Sequence, residues 1–129
     1  MRRRRLARAA STLAGAVVLL LTVTNAQAAT WVVNIQGSQF VPSSVTIAQD
    51  DSVRWVNLDS VNHSCVSDTG VWTSPTLVHN AAYARQFTVL GTFQYHCGHH
   101  VGMLGTVIVN AVQTNRETWG KIKRLYEDR

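Results

Sequence analysis

The sequence predicts an all-β protein, a sandwich or barrel of short antiparallel strands. Residues from Thr30 to Asn110 fall into brief runs rich in Val, Ile, Thr and aromatic side chains. Several of these runs alternate apolar with polar residues, the period of a half-buried strand. Clusters of turn-forming residues separate them at short intervals, as in sandwiches and barrels. The sequence contains no heptads, internal repeats or phosphate-binding glycine loops.

The runs are "WVVNI" (Trp31–Ile35), "SVTIA" (Ser44–Ala48), "SVRWVN" (Ser52–Asn57), "ARQFTV" (Ala84–Val89), "TFQYHC" (Thr92–Cys97) and "GTVIVN" (Gly105–Asn110). In Ser52–Asn57 the alternation sets Val53, Trp55 and Asn57 on one face and Ser52, Arg54 and Val56 on the other. The dividers are "QGSQ", "VPSS", "QDDS" and "SDTG", with Gly91 ahead of the penultimate strand.

The ends read differently. "MRRRRLAR", an apolar run from Leu13 to Val23 and "AQA" (Ala26–Ala28) have the form of a secretory signal peptide over residues 1–28. The apolar run is shorter than the ~20 residues of a spanning helix. The expectation is an exported protein, periplasmic or secreted, cut near Ala28. The whole chain carries 12 Lys+Arg against 7 Asp+Glu, but five of the arginines lie in the leader, leaving 7 against 7. That balance argues against a nucleic-acid-binding face. One small domain, 29–110, remains, followed by a tail, 111–129. In the tail "TNRE" (Thr114–Glu117) has the form of a capping box. Trp119, Ile122 and Leu125 or Tyr126 then fall at helical spacing. The tail is basic and the domain acidic, so this amphipathic helix can dock on its own domain or on a partner.

The chemistry concentrates in "YHCGHHVGMLG" (Tyr95–Gly105). Cys97 stands where a strand pattern ends, with His99, His100 and Met103 just after it. Met103 lies in a glycine-flanked turn, where a core-filling role is unnatural. Soft sulfur ligands with imidazole favour copper over magnesium or calcium. Cys97, one of His99 and His100, and Met103 supply three ligands of a blue-copper set, and a second histidine comes from His63 or His79. Two cysteines in an exported chain read by default as a disulfide, so a Cys65–Cys97 pair is the competing expectation.

The stretch "GTFQYHCGHHVGMLGTVIV", together with "FVPSSVTIAQDDSVRWVN" and "VNHS" upstream, resembles the cupredoxins, the plastocyanin and amicyanin family of type 1 copper proteins. The short Cys-x2-His-x2-Met spacing is similar to the amicyanin variety. The resemblance runs from about Trp31 to Asn110 and implies a Greek-key β-sandwich. It further implies His63, Cys97, His100 and Met103 as ligands of one Cu(I)/Cu(II) ion. His99 falls where many relatives have proline, His96 points outward, and His79 is a surface residue. Ser64 stands where the family places a small polar residue near the cysteine sulfur, so its backbone N–H or hydroxyl is expected to bond the thiolate. Asp50 replaces the family's turn glycine, and Cys65 replaces an apolar residue.

The function so implied is single-electron shuttling by an exported monomer, which meets redox partners transiently through the loop around His100. It is not an enzyme, since a fully ligated metal leaves no open position for substrate. The alternatives are a copper chaperone or buffer, and a disulfide-stapled binding module without metal.

Overall fold

The computed structural model describes residues 27–112 and 123–128, together with Gly15. The rest of the expected leader, the Thr114–Glu117 capping box, Trp119 and Ile122 lie outside the described residues.

Among the described residues, eight strands form two four-stranded sheets. They are β1 (Thr30–Ile35), β2 (Phe40–Val41), β3 (Ser44–Ala48), β4 (Ser52–Asn57), β5 (Val66–Ser67), β6 (Ala82–Gln86), β7 (Gly91–His96) and β8 (Leu104–Asn110). One sheet runs β2-β1-β4-β6 and the other β3-β8-β7-β5. The result is the expected Greek-key sandwich, with one correction. The strands are not all antiparallel: β1 pairs parallel with β4, and β3 parallel with β8. Strand β6 ends three residues before the expected "ARQFTV" run does, and β2 and β5 are two-residue strands that no run announced.

The alternation in β4 is as read, with Val53, Trp55 and Asn57 fully buried. Trp55 centres the core. Its ring lies 5.2 Å from that of Trp72 and 5.4 Å from that of Tyr95, and Tyr95 meets Phe40 edge-on at 4.6 Å. Burying such a side chain is worth roughly 1.5–3 kcal/mol, so the aromatic cluster anchors the two sheets to each other. At the β3–β4 turn Asp50 adopts φ 73°, the left-handed conformation expected where the family has glycine.

The sheets present the metal-ligand candidates at one end. The β7–β8 connection, residues 97–103, carries Cys97, His100 and Met103, while the segment between β4 and β5 carries His63. Residues 123–127 form a helical turn whose Leu125 and Tyr126 are exposed.

Candidate metal centre

Two loops meet at the site, and each is fixed by backbone bonding. His63 exchanges both backbone hydrogen bonds with Leu77, its N–H donating to the Leu77 carbonyl (3.1 Å) and its carbonyl accepting the Leu77 N–H (2.7 Å). The buried Asn57 amide donates to the Val61 and Leu77 carbonyls, both at 2.8 Å, and its Oδ1 accepts the Asp59 N–H at 2.9 Å. A polar side chain this buried persists only when hydrogen-bonded, and here its bonds clamp the loop that delivers His63. In the second loop the Cys97 N–H donates to the Met103 carbonyl (3.0 Å), closing a tight turn around His100. Gly98 donates its N–H to Ser64 Oγ (3.0 Å), stitching the two loops together. A side chain at 98 would meet that hydroxyl at 2.9 Å, which explains the glycine.

Within this frame His63, Cys97 and His100 converge, their ligand atoms all within 4.8 Å of one another. Nδ1 of His63 and Nδ1 of His100 each lie 3.6 Å from Cys97 Sγ, and the two imidazole rings are 4.6 Å apart. His63 and Cys97 are buried, whereas His100 is half-buried. Met103 is also buried, beside Cys97 in the backbone of the turn.

The proton on His63 is assigned by its neighbour. Asp59 Oδ2 lies 2.9 Å from His63 Nε2. The Asp59 carboxyl is held below its ordinary range, first by the Ser38 and Gly37 N–H groups it accepts and then by His63, so it is ionised and can only accept. His63 Nε2 must therefore carry hydrogen, which leaves the Nδ1 lone pair facing Cys97 Sγ. This carboxylate–histidine pairing is the usual way a protein orients a ligating imidazole. The sequence reading missed Asp59, which sits in "NLDS" as an ordinary turn acid, though its place four residues before His63 was a usable signal.

Other expectations sort cleanly. His99 is exposed, and its backbone N–H donates to Cys97 Sγ at 3.4 Å. His79 is exposed and donates Nδ1–H to the Asp59 carbonyl at 2.9 Å. His96 points away from the site and pairs with Asp68. Ser64 corrects the reading: its hydroxyl accepts from Gly98, and the described backbone bond to Cys97 Sγ comes from the His99 N–H instead. Cys65 and Cys97 are both free and buried, against the disulfide expectation. Burial is the main cause that pushes the Cys65 thiol pKa far up, with Cys97 nearby adding to it, so Cys65 behaves as a small neutral core residue.

Two imidazole nitrogens and a sulfur converging on one point are the donor set that suits copper.

Residues 27–110 match a family described as copper binding proteins, plastocyanin/azurin family. Over 83 residues the chain is 30% identical to amicyanin of Paracoccus denitrificans, covering 60% of this chain and 63% of that protein, so it spans somewhat under two thirds of that relative's length. It is 37% identical over 83 residues to plastocyanin of Scenedesmus fuscus, covering 54% of this chain and 85% of the relative. Amicyanin-alpha of Methylorubrum extorquens is 30% identical over 109 residues, covering 81% and 92%. Among solved structures, an amicyanin variant in the Cu(I) state superposes with a TM-score of 0.60 at 28% identity, covering 63% of this chain and 82% of that one.

Proposed function

Because the chain belongs to the plastocyanin/azurin family of copper-binding proteins, we propose that it works as an exported carrier of single electrons between redox partners. Its cofactor is one copper ion, supported by the family and by the His63, Cys97 and His100 cluster. Bound copper supplies a one-electron Cu(I)/Cu(II) couple. His63 and His100 hold it through Nδ1, Cys97 through its thiolate and Met103 through its thioether.

The observation that carries this reading is the asymmetry of the cluster. His63 and Cys97 are buried and immobilised, His63 by Asp59 and by its paired bonds to Leu77, Cys97 by the Met103 carbonyl. The His99 N–H, 3.4 Å from Sγ, adds a further hold on the Cys97 side chain. Such a frame keeps one arrangement of donors whichever oxidation state is present, so little rearrangement accompanies each transfer. Four protein ligands also leave no open position for a substrate, which favours carrying over catalysis. His100 alone reaches the surface, beside fully exposed Val101 and exposed Leu104. That apolar rim suits the small, transient interfaces of electron-transfer encounters, with His100 as the electron port. Export is supported by the leader-like residues 1–28.

Voltammetry of the copper-loaded protein tests the reading. A reversible one-electron wave is expected, and His100→Gly should slow electron exchange. Tight copper binding without a reversible wave would favour the buffer or chaperone reading. An unchanged exchange rate and unchanged copper binding in His100→Gly would remove His100 as the port.

A further inference from the structure

A buried carboxylate far from the metal centre has a role that the copper chemistry does not use. Asp51, at the turn into β4, is 7% exposed. Its Oδ1 accepts the backbone N–H of Ala29 at 2.7 Å. Its Oδ2 accepts the Trp31 indole N–H at 2.9 Å and the Ala48 N–H at 3.1 Å. Among the described residues the ion pairs are His63–Asp59 and His96–Asp68, so no cation faces this carboxylate. A buried charge with hydrogen bonds but no counter-charge is expensive. Oδ1 receives one donor where a carboxylate oxygen has room for two.

Among the described residues, backbone pairing begins at Ala29. Its carbonyl accepts the Ser52 N–H at 2.8 Å, and the next residue opens the β1–β4 ladder. Gln27 and Ala28, just before it, are exposed and outside any strand. The small-x-small pattern Ala26-Gln27-Ala28 ends at the same peptide bond.

We propose that Asp51 is the receptor for the α-ammonium group created when the chain is cut between Ala28 and Ala29. Hydrolysis of that amide by a processing peptidase takes up one water: hydroxyl goes to the Ala28 carbonyl carbon and hydrogen to the Ala29 nitrogen. At neutral pH the products are an Ala28 carboxylate and an Ala29 ammonium. The nitrogen already 2.7 Å from Oδ1 then carries a positive charge and three N–H donors in place of one. The missing counter-charge and the vacant acceptor position are both supplied, and a charge-assisted bond replaces a neutral one. A cut at any other bond would leave Oδ1 with an uncharged amide or with no partner. Maturation thereby locks the first strand of the sandwich in place.

The cutting agent rests on the export reading, whereas the ion pair does not. Other charged groups on the packed elements are accounted for. Asp50 is exposed in the same turn, Arg54 is exposed on β4, and the Arg85 guanidinium on β6 lies over the Trp72 and Phe87 rings at 5.9 and 5.8 Å.

The test uses the full chain, expressed with its leader in an exporting host, and reads the mass and N-terminal sequence of the recovered protein. NMR then titrates its α-amino group in the wild type and in Asp51→Asn. The expected protein begins at Ala29, with an α-amino group titrating at least one unit above the usual range of about 7.7–8.0 and returning toward it in Asp51→Asn. A start at another residue, or no processed protein outside the cytoplasm, overturns the processing site. A start at Ala29 with an ordinary α-amino titration overturns the ion pair while export stands. If Asp51→Asn does not fold, the rate of acylation of the wild-type α-amino group by an amine-reactive ester serves instead. At pH 8, tenfold suppression relative to a short unstructured peptide supports the pair, and equal rates overturn it.

Discussion

Asp59 holds His63 by its far nitrogen: the carboxylate sits 2.9 Å from Nε2 while its two oxygens also accept the Gly37 and Ser38 N–H groups, each at 2.8 Å. One side chain thus fixes the tautomer of the buried imidazole and ties the β1–β2 turn to the metal-site loop. Removing it frees the His63 ring to rotate and lets Nε2 compete for the metal. Asp59→Ala should lower copper affinity by about 10–100-fold, measured by competition with a chelator of known affinity. Asp59→Asn, which can still accept from Nε2–H, should lose less. Equal affinity in all three proteins would show that His63 is oriented by its backbone alone.

Gly105 faces the Tyr95 ring across the β7–β8 ladder. A β-carbon there would lie 2.2 Å from Tyr95 Cζ, deep inside contact distance. Tyr95 is wedged between Phe40 and Trp55 and cannot yield easily. Gly105→Ala should therefore cost about 1–3 kcal/mol in denaturant unfolding, as overpacked cores do. A stability equal to the wild type would mean that the aromatic cluster is looser than its geometry indicates.

The two cysteines should behave oppositely. Cys65 is wholly buried and its thiol is kept neutral, so Cys65→Ala should lose about 1 kcal/mol of stability with the copper spectrum unchanged. Cys97→Ser should abolish the spectrum. Thiol counting on the denatured, unreduced metal-free protein should give two per chain. A count of zero would restore the disulfide and remove copper.

Acid sensitivity follows from two carboxylates. The Trp31 indole bond does most to hold the Asp51 carboxyl below its ordinary range, against the opposing effect of burial and with help from the Ala29 and Ala48 N–H groups; Ser38 and Gly37 do the same for Asp59. A group whose folded-state pKa is lowered stabilises the fold above its unfolded value, about 3.9, and loses that contribution as pH falls from there through the folded value. The melting temperature of the metal-free protein should thus be steady between about pH 5 and 7 as far as these groups are concerned. It should drop below about pH 4, less steeply in Asp51→Asn. An identical acid profile in that variant would contradict the assignment.

Much of the fold was legible because side-chain period and strand are directly linked. "SVTIA" and "SVRWVN" coincide with β3 and β4, residue for residue. Alternation has the same period in parallel and antiparallel strands, so the parallel β1–β4 and β3–β8 pairs carried no signal of their own. The "ARQFTV" run misplaced β6 because Phe87 is buried just beyond the strand end, where its backbone bonds the β3–β4 turn at Asp50 and Asp51. At the site, residue type and spacing singled out Cys97 but left His99 or His100 and His63 or His79 open. The family resemblance implied His63 and His100, and the structure gathers these two with Cys97. Asp59, Asn57 and the Ser64–Gly98 bond were not, because polar residues in turns look alike until the fold shows which loop each one faces.

Absorption and EPR spectra of the protein after one equivalent of Cu(II) test the copper–thiolate site most directly. The expected result is an intense blue thiolate-to-copper band with narrow copper hyperfine splitting, present in the wild type and absent in Cys97→Ser. A colourless protein with ordinary copper hyperfine splitting, or a band that survives Cys97→Ser, would contradict it.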